Sequence, residues 1–293
     1  MGLPYVQCNV FAQSRYSGAP VGVCVQRCWG SEQVLQRIAR VNALPESVFV
    51  DGEDGDYRLQ AFSADRALKH PVAGAMAAAH VVLSDVEPER EEISFAIGEQ
   101  RILVRREGMG VSLETSAIEP IEVGCPMELV EGVGRQPEVV LDAGMNLIAV
   151  FSSERCLRSV HLRPDRLRTL RYERIIATAP GDDDDFVYRS VHADDRPGNA
   201  MGRASELMYL IPYWTQRFGV ERISAREDAV RGCAIRCRRV PNRIRIRGRV
   251  VEHLRGELNL SPKQTQGQTR PRVVVGGLTA DAPRRASDGD LAA

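Results

Sequence analysis

Glu46 is the residue of this sequence best placed to carry out chemistry, because it lies where a helical pattern gives way to a strand. Apolar residues recur at helical spacing over residues 34–41, and the run Val48-Phe49-Val50 predicts a buried strand directly after Glu46. A carboxylate at such a junction is either a solvated charge at a helix end or an acid–base catalyst held over a cleft. The residues alone leave both alternatives open.

Residues that commonly bind metals form no pattern that predicts a metal site. The seven cysteines include two CxxxC pairs, Cys24 with Cys28 and Cys233 with Cys237, but both fall in strand-like runs whose alternating side chains do not converge. Small buried thiols are therefore the favoured interpretation. The four acids at 182–185 lack the spaced ligands of a calcium loop, so we expect a charged loop there.

The composition is that of a globular protein with no overall preference for anionic partners. The chain has 293 residues, 43% hydrophobic and 27% charged, and its formal net charge is zero, so neither nucleic acid nor a membrane is an expected partner. The longest nearly apolar run, residues 72–83, is shorter than the about 20 residues that span a bilayer. Because no signal peptide is visible, we expect a cytoplasmic protein.

The strand and helix patterns divide the chain into two lobes that repeat one plan. Each lobe has the order strand, strand, helix, strands, apolar helix, strands. The two apolar helices are expected at residues 74–84 and 204–218, and a helix without a polar face is a buried one. We therefore predict an α+β fold of two similar lobes, each a curved, mostly antiparallel sheet (an open barrel) around a central helix.

The lobe boundaries follow from the same patterns. The N-terminal lobe is predicted to cover residues 1–124, and a C-terminal strand from about 249 to 260 could complete it. The C-terminal lobe covers residues 125–260, with a helix at 164–172 and late strands that alternate apolar and basic residues. Residues 261–293 are polar and rich in glycine and proline, which predicts a partly disordered tail.

An ordered series of motifs resembles the phenazine biosynthesis isomerase (PhzF-like) family, whose members have the diaminopimelate epimerase fold. The resemblance covers about residues 5–258, and no single motif is specific alone. The motifs are Asn9-Val10-Phe11, Gly18-Ala19-Pro20, Leu44-Pro45-Glu46-Ser47-Val48-Phe49, Pro212-Tyr213-Trp214, Arg231-Gly232-Cys233 and the final strand at 248–257. The resemblance implies that Glu46 corresponds to the family's catalytic glutamate.

Two family motifs are altered in this chain. The family has Gly-His at the start of the first central helix, where this chain has Gly74-Ala75 and lacks the imidazole. At the start of the second central helix, the family's aspartate becomes Ala200 and its glycine becomes Ala204, whereas its serine persists as Ser205. The cysteine pair of diaminopimelate epimerases is also missing, which excludes their two-cysteine mechanism.

Other side chains could replace the lost groups. His70 and His192 are expected near the mouth of the cleft, and either could supply the missing imidazole. Asp194-Asp195 could replace the aspartate, although a solvated loop is the alternative. His80 lies inside the apolar helix, where a core histidine is the favoured interpretation over a base.

The resemblance implies a cleft between the lobes that needs neither metal nor organic cofactor. Both central helices would point their N-termini into it, where backbone amides and the positive ends of the helix dipoles can bind the carboxylate of a small-molecule substrate. The implied catalytic residues are Glu46 and Ser205. The implied substrate-binding residues are Gly18, Gly74, Ala75, Met76, Met201, Arg203 and Ala204.

The function implied by the resemblance is a cofactor-independent isomerase of secondary metabolism. Glu46 would take a proton from one carbon of a small carboxylate-bearing compound and return it to another, which moves a double bond. Two alternatives stay open: a binding homologue that kept the fold and lost the chemistry, or a lyase or cyclase that uses Glu46 alone. Family members often pair, so a homodimer is also possible.

Overall fold

The structure, a computed structural model, describes residues 2–26, 30–192, 204–228 and 233–259. Within these ranges, fifteen strands form one continuous sheet, and six α-helices pack inside or outside it.

The N-terminal lobe is a closed barrel of eight strands. Seven of them follow one another in chain order, and the last strand of the chain closes the barrel by pairing with both β7 and β1. The strands are β1 (Gly2–Val10), β2 (Ala19–Val25), β3 (Glu46–Glu53), β4 (Asp56–Phe62), β5 (Glu92–Ile97), β6 (Gln100–Glu107), β7 (Gly110–Ser116) and β15 (Arg243–Asn259).

Helix α2 (Val72–Val81) packs inside this barrel and continues into a π-helical turn, Val82–Val86. Every α2 residue except His80 is buried. The interior of an eight-stranded barrel is normally just wide enough for side chains, so the alanines and the glycine of α2 explain how a helix fits there. Helix α1 (Glu32–Asn42) packs against β3 and β4.

The C-terminal lobe is an open sheet around a second central helix, α6 (Leu207–Phe218). The helix is anchored by Trp214, which is fully buried, stacks on Phe186 with ring centroids 5.8 Å apart, and donates from Nε1 to Thr178 Oγ1 at 3.0 Å. The strands, in sheet order after β15, are β14 (Ile235–Val240), β13 (Arg222–Glu227), β12 (Phe186–His192), β11 (Arg174–Pro180), β10 (Asn146–Val150), β9 (Val139–Ala143) and β8 (Ile121–Val123).

Shorter helical segments complete this lobe. They are α3 (Met127–Val133), α4 (Glu154–Arg158), α5 (Pro164–Leu167) and a 3₁₀ turn, Ala204–Glu206, that leads into α6.

Strand β15 joins the lobes because it belongs to both sheets. Its residues 243–249 pair with β7 on one side, and residues 243–247 pair with β14 on the other. Residues 250–259 then pair with β1. Side chains from both sheets and both central helices form one hydrophobic core, so the two lobes share one hydrogen-bonded sheet and one interior.

The predicted fold class is confirmed: two similar curved sheets each surround a central helix. An open barrel that a strand at about 249–260 could complete was expected for the N-terminal lobe, and here β15 (Arg243–Asn259) closes it by pairing with β1. The helix expected at 164–172 ends at Leu167. The Thr169 hydroxyl donates to the carbonyl of Arg166 at 3.1 Å, a local bond that competes with helix continuation.

The two lobes repeat each other in strand order and direction. In the first, β2 pairs parallel with β3, β3 antiparallel with β4, and β4 parallel with β5. In the second, β10 pairs parallel with β11, β11 antiparallel with β12, and β12 parallel with β13. Val21 lies opposite Glu46 in the first lobe and Asn146 opposite Arg174 in the second, so Glu46 and Arg174 are equivalent positions.

Candidate active site

Glu46 lies where the chain turns from helix α1 into the barrel. The helix ends at Asn42, Ala43 adopts a left-handed conformation, and β3 begins at Glu46. The Glu46 side chain is only 4% exposed, and its Oε2 accepts a hydrogen bond from the Gly74 N–H at 2.7 Å. The structure therefore holds this carboxylate in a buried position at the first turn of α2, where the helix dipole stabilises negative charge.

Gly74 is the residue that makes this contact possible. A Cβ at this position would lie 2.5 Å from Val48 Cγ1 and 2.8 Å from Glu46 Oε2. Both distances are shorter than real contacts of a methyl group allow, and Val48 is itself fully buried. The absence of a side chain at Gly74 thus lets α2 approach the start of β3.

The amides at the start of α2 already have partners in this structure. The Gly74 amide donates to Glu46, and the Ala75 amide donates to the carbonyl of Pro71 at 2.8 Å. Met76 is fully buried in the core, close to Gly248 of β15. In this conformation Gly74 and Ala75 therefore organise the carboxylate of Glu46 and the helix itself.

Gly18 lies at the same end of the barrel as Glu46. Strands β2 and β3 are parallel with Val21 opposite Glu46, so the turn that precedes β2 lies beside the start of β3. Gly18 has φ +91°, and a Cβ there would lie 2.4 Å from the carbonyl oxygen of Val10. Its role in this structure is to let the turn pack closely on the end of β1.

The start of the second central helix is described in part. Ala204 is buried and Ser205 half-buried in the 3₁₀ turn before α6, and this turn contacts α2. The structure thus brings the first described turn of the second central helix against the first central helix. Met201, Arg203 and the Asp194-Asp195 pair lie outside the described residues.

A polar contact between the lobes involves one of the two histidines considered as replacements. The turn after β4 is closed by Ser63, whose N–H donates to the carbonyl of Arg66 at 2.8 Å. Arg66 extends from this turn to Nε2 of His192, the last residue of β12. His192 is 7% exposed. An arginine is only a donor, so Nε2 of His192 is the acceptor in this contact.

His70 is in a different environment. It is half-buried just before α2, and burial lowers its pKa; a hydrogen bond with the Gln100 side chain opposes that shift, and the charge of Lys69 adds to it. The net effect is a pKa below the usual value of about 6.5. Burial also lowers the pKa of His80, which is half-buried within α2.

A buried ionic network occupies the position in the second lobe that Glu46 occupies in the first. Arg174 Nη1 donates to Ser190 Oγ at 2.7 Å and to Glu206 Oε1 at 3.3 Å, and the Ser190 hydroxyl also donates to Glu206. All three residues are buried. His192 lies directly opposite Arg174 in the neighbouring strand, which connects this network to the contact between the lobes.

This network was not predicted, although the sequence carries a signal for it. Arg174 begins the strand of the second lobe that corresponds to β3, so aligning the two lobes on their strand order would have matched it with Glu46. Glu206 follows Ser205 directly at the start of the second central helix.

Among the described residues, no three His, Cys, Asp or Glu side chains lie together as a metal site requires. Across the same part of the chain, no helix is long and apolar enough to cross a membrane.

Comparison with known proteins adds the family. Residues 8–180 match the family model described as phenazine biosynthesis-like protein, PhzC-PhzF, which covers more than half of the chain. The chain belongs to the phenazine biosynthesis-like family. This confirms the resemblance of the motif series, and membership indicates an isomerase-type enzyme, since relatives of the chain are named isomerases.

Three proteins illustrate what the chain is similar to. An uncharacterized isomerase of Pseudomonas aeruginosa is 31% identical over 89% of this chain and 100% of its own length. A PhzF-family protein of Enterococcus faecalis has a crystal structure with a TM-score of 0.82 at 27% identity, covering 89% of this chain and 100% of that one. A hydroxyproline epimerase of Agrobacterium vitis is 10% identical with a TM-score of 0.52, covering 90% and 94%, and shares the fold alone.

Proposed function

We propose that this member of the phenazine biosynthesis-like family is a cofactor-independent isomerase that moves a proton, and with it a double bond, within a small carboxylate-bearing metabolite. Glu46 is the acid–base group. The observation that carries the proposal is the buried position of its carboxylate at the first turn of α2, held by the Gly74 amide at 2.7 Å.

The chemistry needs one carboxylate that exchanges a proton with two carbons of the same substrate. Glu46 removes a proton from a carbon made acidic by an adjacent double bond or carbonyl, and returns it to another carbon on the same face. General acid–base catalysis of this kind contributes about 10²–10⁴-fold to a rate. The hydrogen bond from Gly74 supports this role because it orients the carboxylate before the substrate binds.

The substrate carboxylate binds at the start of the second central helix, on the amides of Ala204 and Ser205. This end is favoured over the start of α2 because the Gly74 and Ala75 amides already donate to Glu46 and Pro71. Ser205 adds a hydroxyl that can donate to the substrate. Met201 and Arg203 stay predicted contacts of the same ligand.

His192 serves the site by positioning Arg66. Its Nε2 accepts from the guanidinium that crosses from the first lobe, which supports a role for Arg66 as a positive charge close to the substrate carboxylate. His70 is the weaker candidate, because its side chain is directed to Gln100.

The proposal is tested by proton exchange in D₂O, followed by NMR, on a panel of small β,γ-unsaturated and cyclic diene carboxylic acids. Glu131→Gln is a matched control, because Glu131 is exposed on α3 in the second lobe. We expect the wild type and the control to incorporate deuterium into at least one acid, and Glu46→Gln to incorporate none.

Two results would overturn the proposal. If the wild-type protein exchanges no proton with any acid but binds some of them, the chain is a binding homologue. If Glu46→Gln exchanges as fast as the wild type, a different group is the base.

A further inference from the structure

A dense group of arginines covers the outer face of β13, β14 and β15. The inward residues of these strands, among them Ile235 and Ile246, are buried in the core, so the alternate side chains point outward. They surround a surface cavity of about 540 Å³. We call its basic members the arginine patch: Arg222, Arg236, Arg238, Arg245 and Arg247.

The strand register sets these arginines directly opposite one another. Arg222 lies opposite Arg238, and Arg238 opposite Arg245; in the next row, Arg236 lies opposite Arg247. Directly opposite residues in antiparallel strands are about 4.5–5.5 Å apart at Cβ, and like charges there are destabilising. Arginines that lie opposite one another without an anion between them are therefore expected to repel one another.

The arginine-rich composition does not by itself explain this arrangement. Elsewhere on the barrel, exposed arginines lie opposite acids in the register and pair with them: Arg58 with Asp51, and Arg105 with Glu92. Within the arginine patch, Arg245 lies opposite Glu114 of β7, but the residues opposite Arg222 and Arg236 are Arg238, Ser224 and Arg247.

Nearby acids neutralise only part of the arginine patch. Arg245 pairs with Glu114, Arg247 Nη1 lies 3.3 Å from Glu107, and Arg238 Nη2 lies 3.4 Å from Glu221. The remaining acid of the cavity, Asp185, accepts from the N–H and hydroxyl of Ser224 at 2.6 and 2.8 Å.

Two arginines of the patch differ from the other three in their partners. Throughout the described part of the chain, no acid forms an ion pair with Arg222 or Arg236. They belong to adjacent rows, so the unbalanced charge is confined to a small area with acids at its edge.

We infer that the arginine patch binds a compact polyanion of the diphosphate class, such as inorganic pyrophosphate or the diphosphate group of a metabolite. Guanidinium groups match phosphate oxygens in bidentate geometry. Arginines two residues apart on a strand are about 6.8 Å apart, so one diphosphate can contact several of them at once. The acids at the edge favour a short polyanion over a nucleic acid strand, whose affinity depends on many phosphate contacts.

The test is calorimetric titration of the full chain with inorganic pyrophosphate at constant ionic strength, paired with thermal unfolding. The variants are Arg222→Gln/Arg236→Gln and the control Arg58→Gln, which removes an exposed arginine of the barrel. We expect saturable binding to the wild type and the control, and about a ten-fold or greater loss of affinity in the double variant. Without pyrophosphate, the double variant should unfold at the wild-type temperature or higher, because it removes opposed like charges.

Three results would overturn the inference. One is the absence of saturable pyrophosphate binding to the wild type. Another is an unchanged affinity in the double variant. The third is tighter binding of a single-stranded oligonucleotide than of pyrophosphate in the same buffer, which would assign the patch to nucleic acid.

Discussion

Glu46 and Arg174 occupy equivalent positions in the two lobes, each as the first residue of a strand that pairs parallel with its predecessor. Each side chain contacts the start of its own lobe's central helix: Glu46 accepts from Gly74, and Arg174 donates to Glu206. An arginine remains protonated in proteins and cannot accept a proton from carbon. At these equivalent positions the first lobe therefore has a carboxylate that can exchange a proton, and the second has a guanidinium that is paired with Glu206.

Gly74→Ala tests whether the close approach of α2 to β3 holds Glu46 in place. In an ordinary helix this change would stabilise the protein by about 1 kcal/mol. Here the added Cβ meets Val48 and Glu46, so we expect a loss of about 1–3 kcal/mol in the free energy of unfolding, measured by urea denaturation. Gly124→Ala is the control, because a Cβ there would meet nothing within 4 Å. Equal effects of the two changes would show that the contact is not tight.

Glu206→Gln tests the buried network of the second lobe. The change leaves Arg174 buried without its carboxylate partner, which costs about 3–5 kcal/mol of stability. The double change Arg174→Met/Glu206→Met removes both charges and should be closer to the wild type in urea denaturation than Glu206→Gln is. If the double variant is less stable than Glu206→Gln, Arg174 and Glu206 stabilise the fold by more than neutralising each other's charge.

His192 substitutions test the contact with Arg66. His192→Ala removes the acceptor, and a misplaced Arg66 should raise KM for the carboxylate substrate more than it lowers kcat. The effect on kcat/KM is expected to be about 10²-fold, the scale of an ångström-sized misplacement. His192→Gln keeps an acceptor and should recover part of the loss. Identical constants for the wild type and His192→Ala would contradict the positioning role.

The lowered pKa of Glu154 leads to a prediction of how the stability of the protein depends on pH. Burial alone raises the pKa of Glu154, but the Asp182 amide at 2.8 Å and the guanidinium of Arg226 outweigh it, so the pKa lies below its usual value. A depressed carboxyl pKa stabilises the native state above the unfolded pKa of about 4.3, and this contribution is lost as the pH falls through the folded pKa.

Glu154→Gln should therefore be less stable than the wild type at neutral pH, by about 1.5–3 kcal/mol for its charged hydrogen bonds. The difference should shrink as the pH is lowered below about 4.3. Urea denaturation across this pH range measures it, with Glu131→Gln as the exposed control. A difference that stays constant with pH would show that Glu154 does not titrate with an altered pKa.

The order of strands and the two central helices could be predicted because they depend on local patterns. The alanine-rich run of α2 has no polar face, and the strands alternate or form short apolar runs, so both signals are present in the sequence. The sequence suggested a strand at about 249–260 that could complete the N-terminal lobe. Its pairing partner β1 could not be predicted, because residues 252–257 of β15 are exposed and leave no apolar period to indicate that pairing.

For the candidate site, too, local sequence patterns predicted the residue but not its tertiary contacts. Glu46 was identified from its junction and the motif series, but its bond to the Gly74 amide depends on how closely α2 approaches β3. The contact between Arg66 and His192 joins residues 126 positions apart. Such contacts follow from the tertiary register, and no short-range spacing in the sequence encodes them.

The central claim is that Glu46 carries a proton between two carbons of one substrate, and isotope transfer tests it most directly. The acid that exchanges in D₂O is prepared with deuterium on the donor carbon and converted in H₂O under single-turnover conditions. We predict that part of the label reappears on the acceptor carbon with the wild-type protein. The variant Glu46→Gln, shown to be folded by a melting temperature equal to that of the wild type, should form no product. Product formation by Glu46→Gln at the wild-type rate would contradict the account.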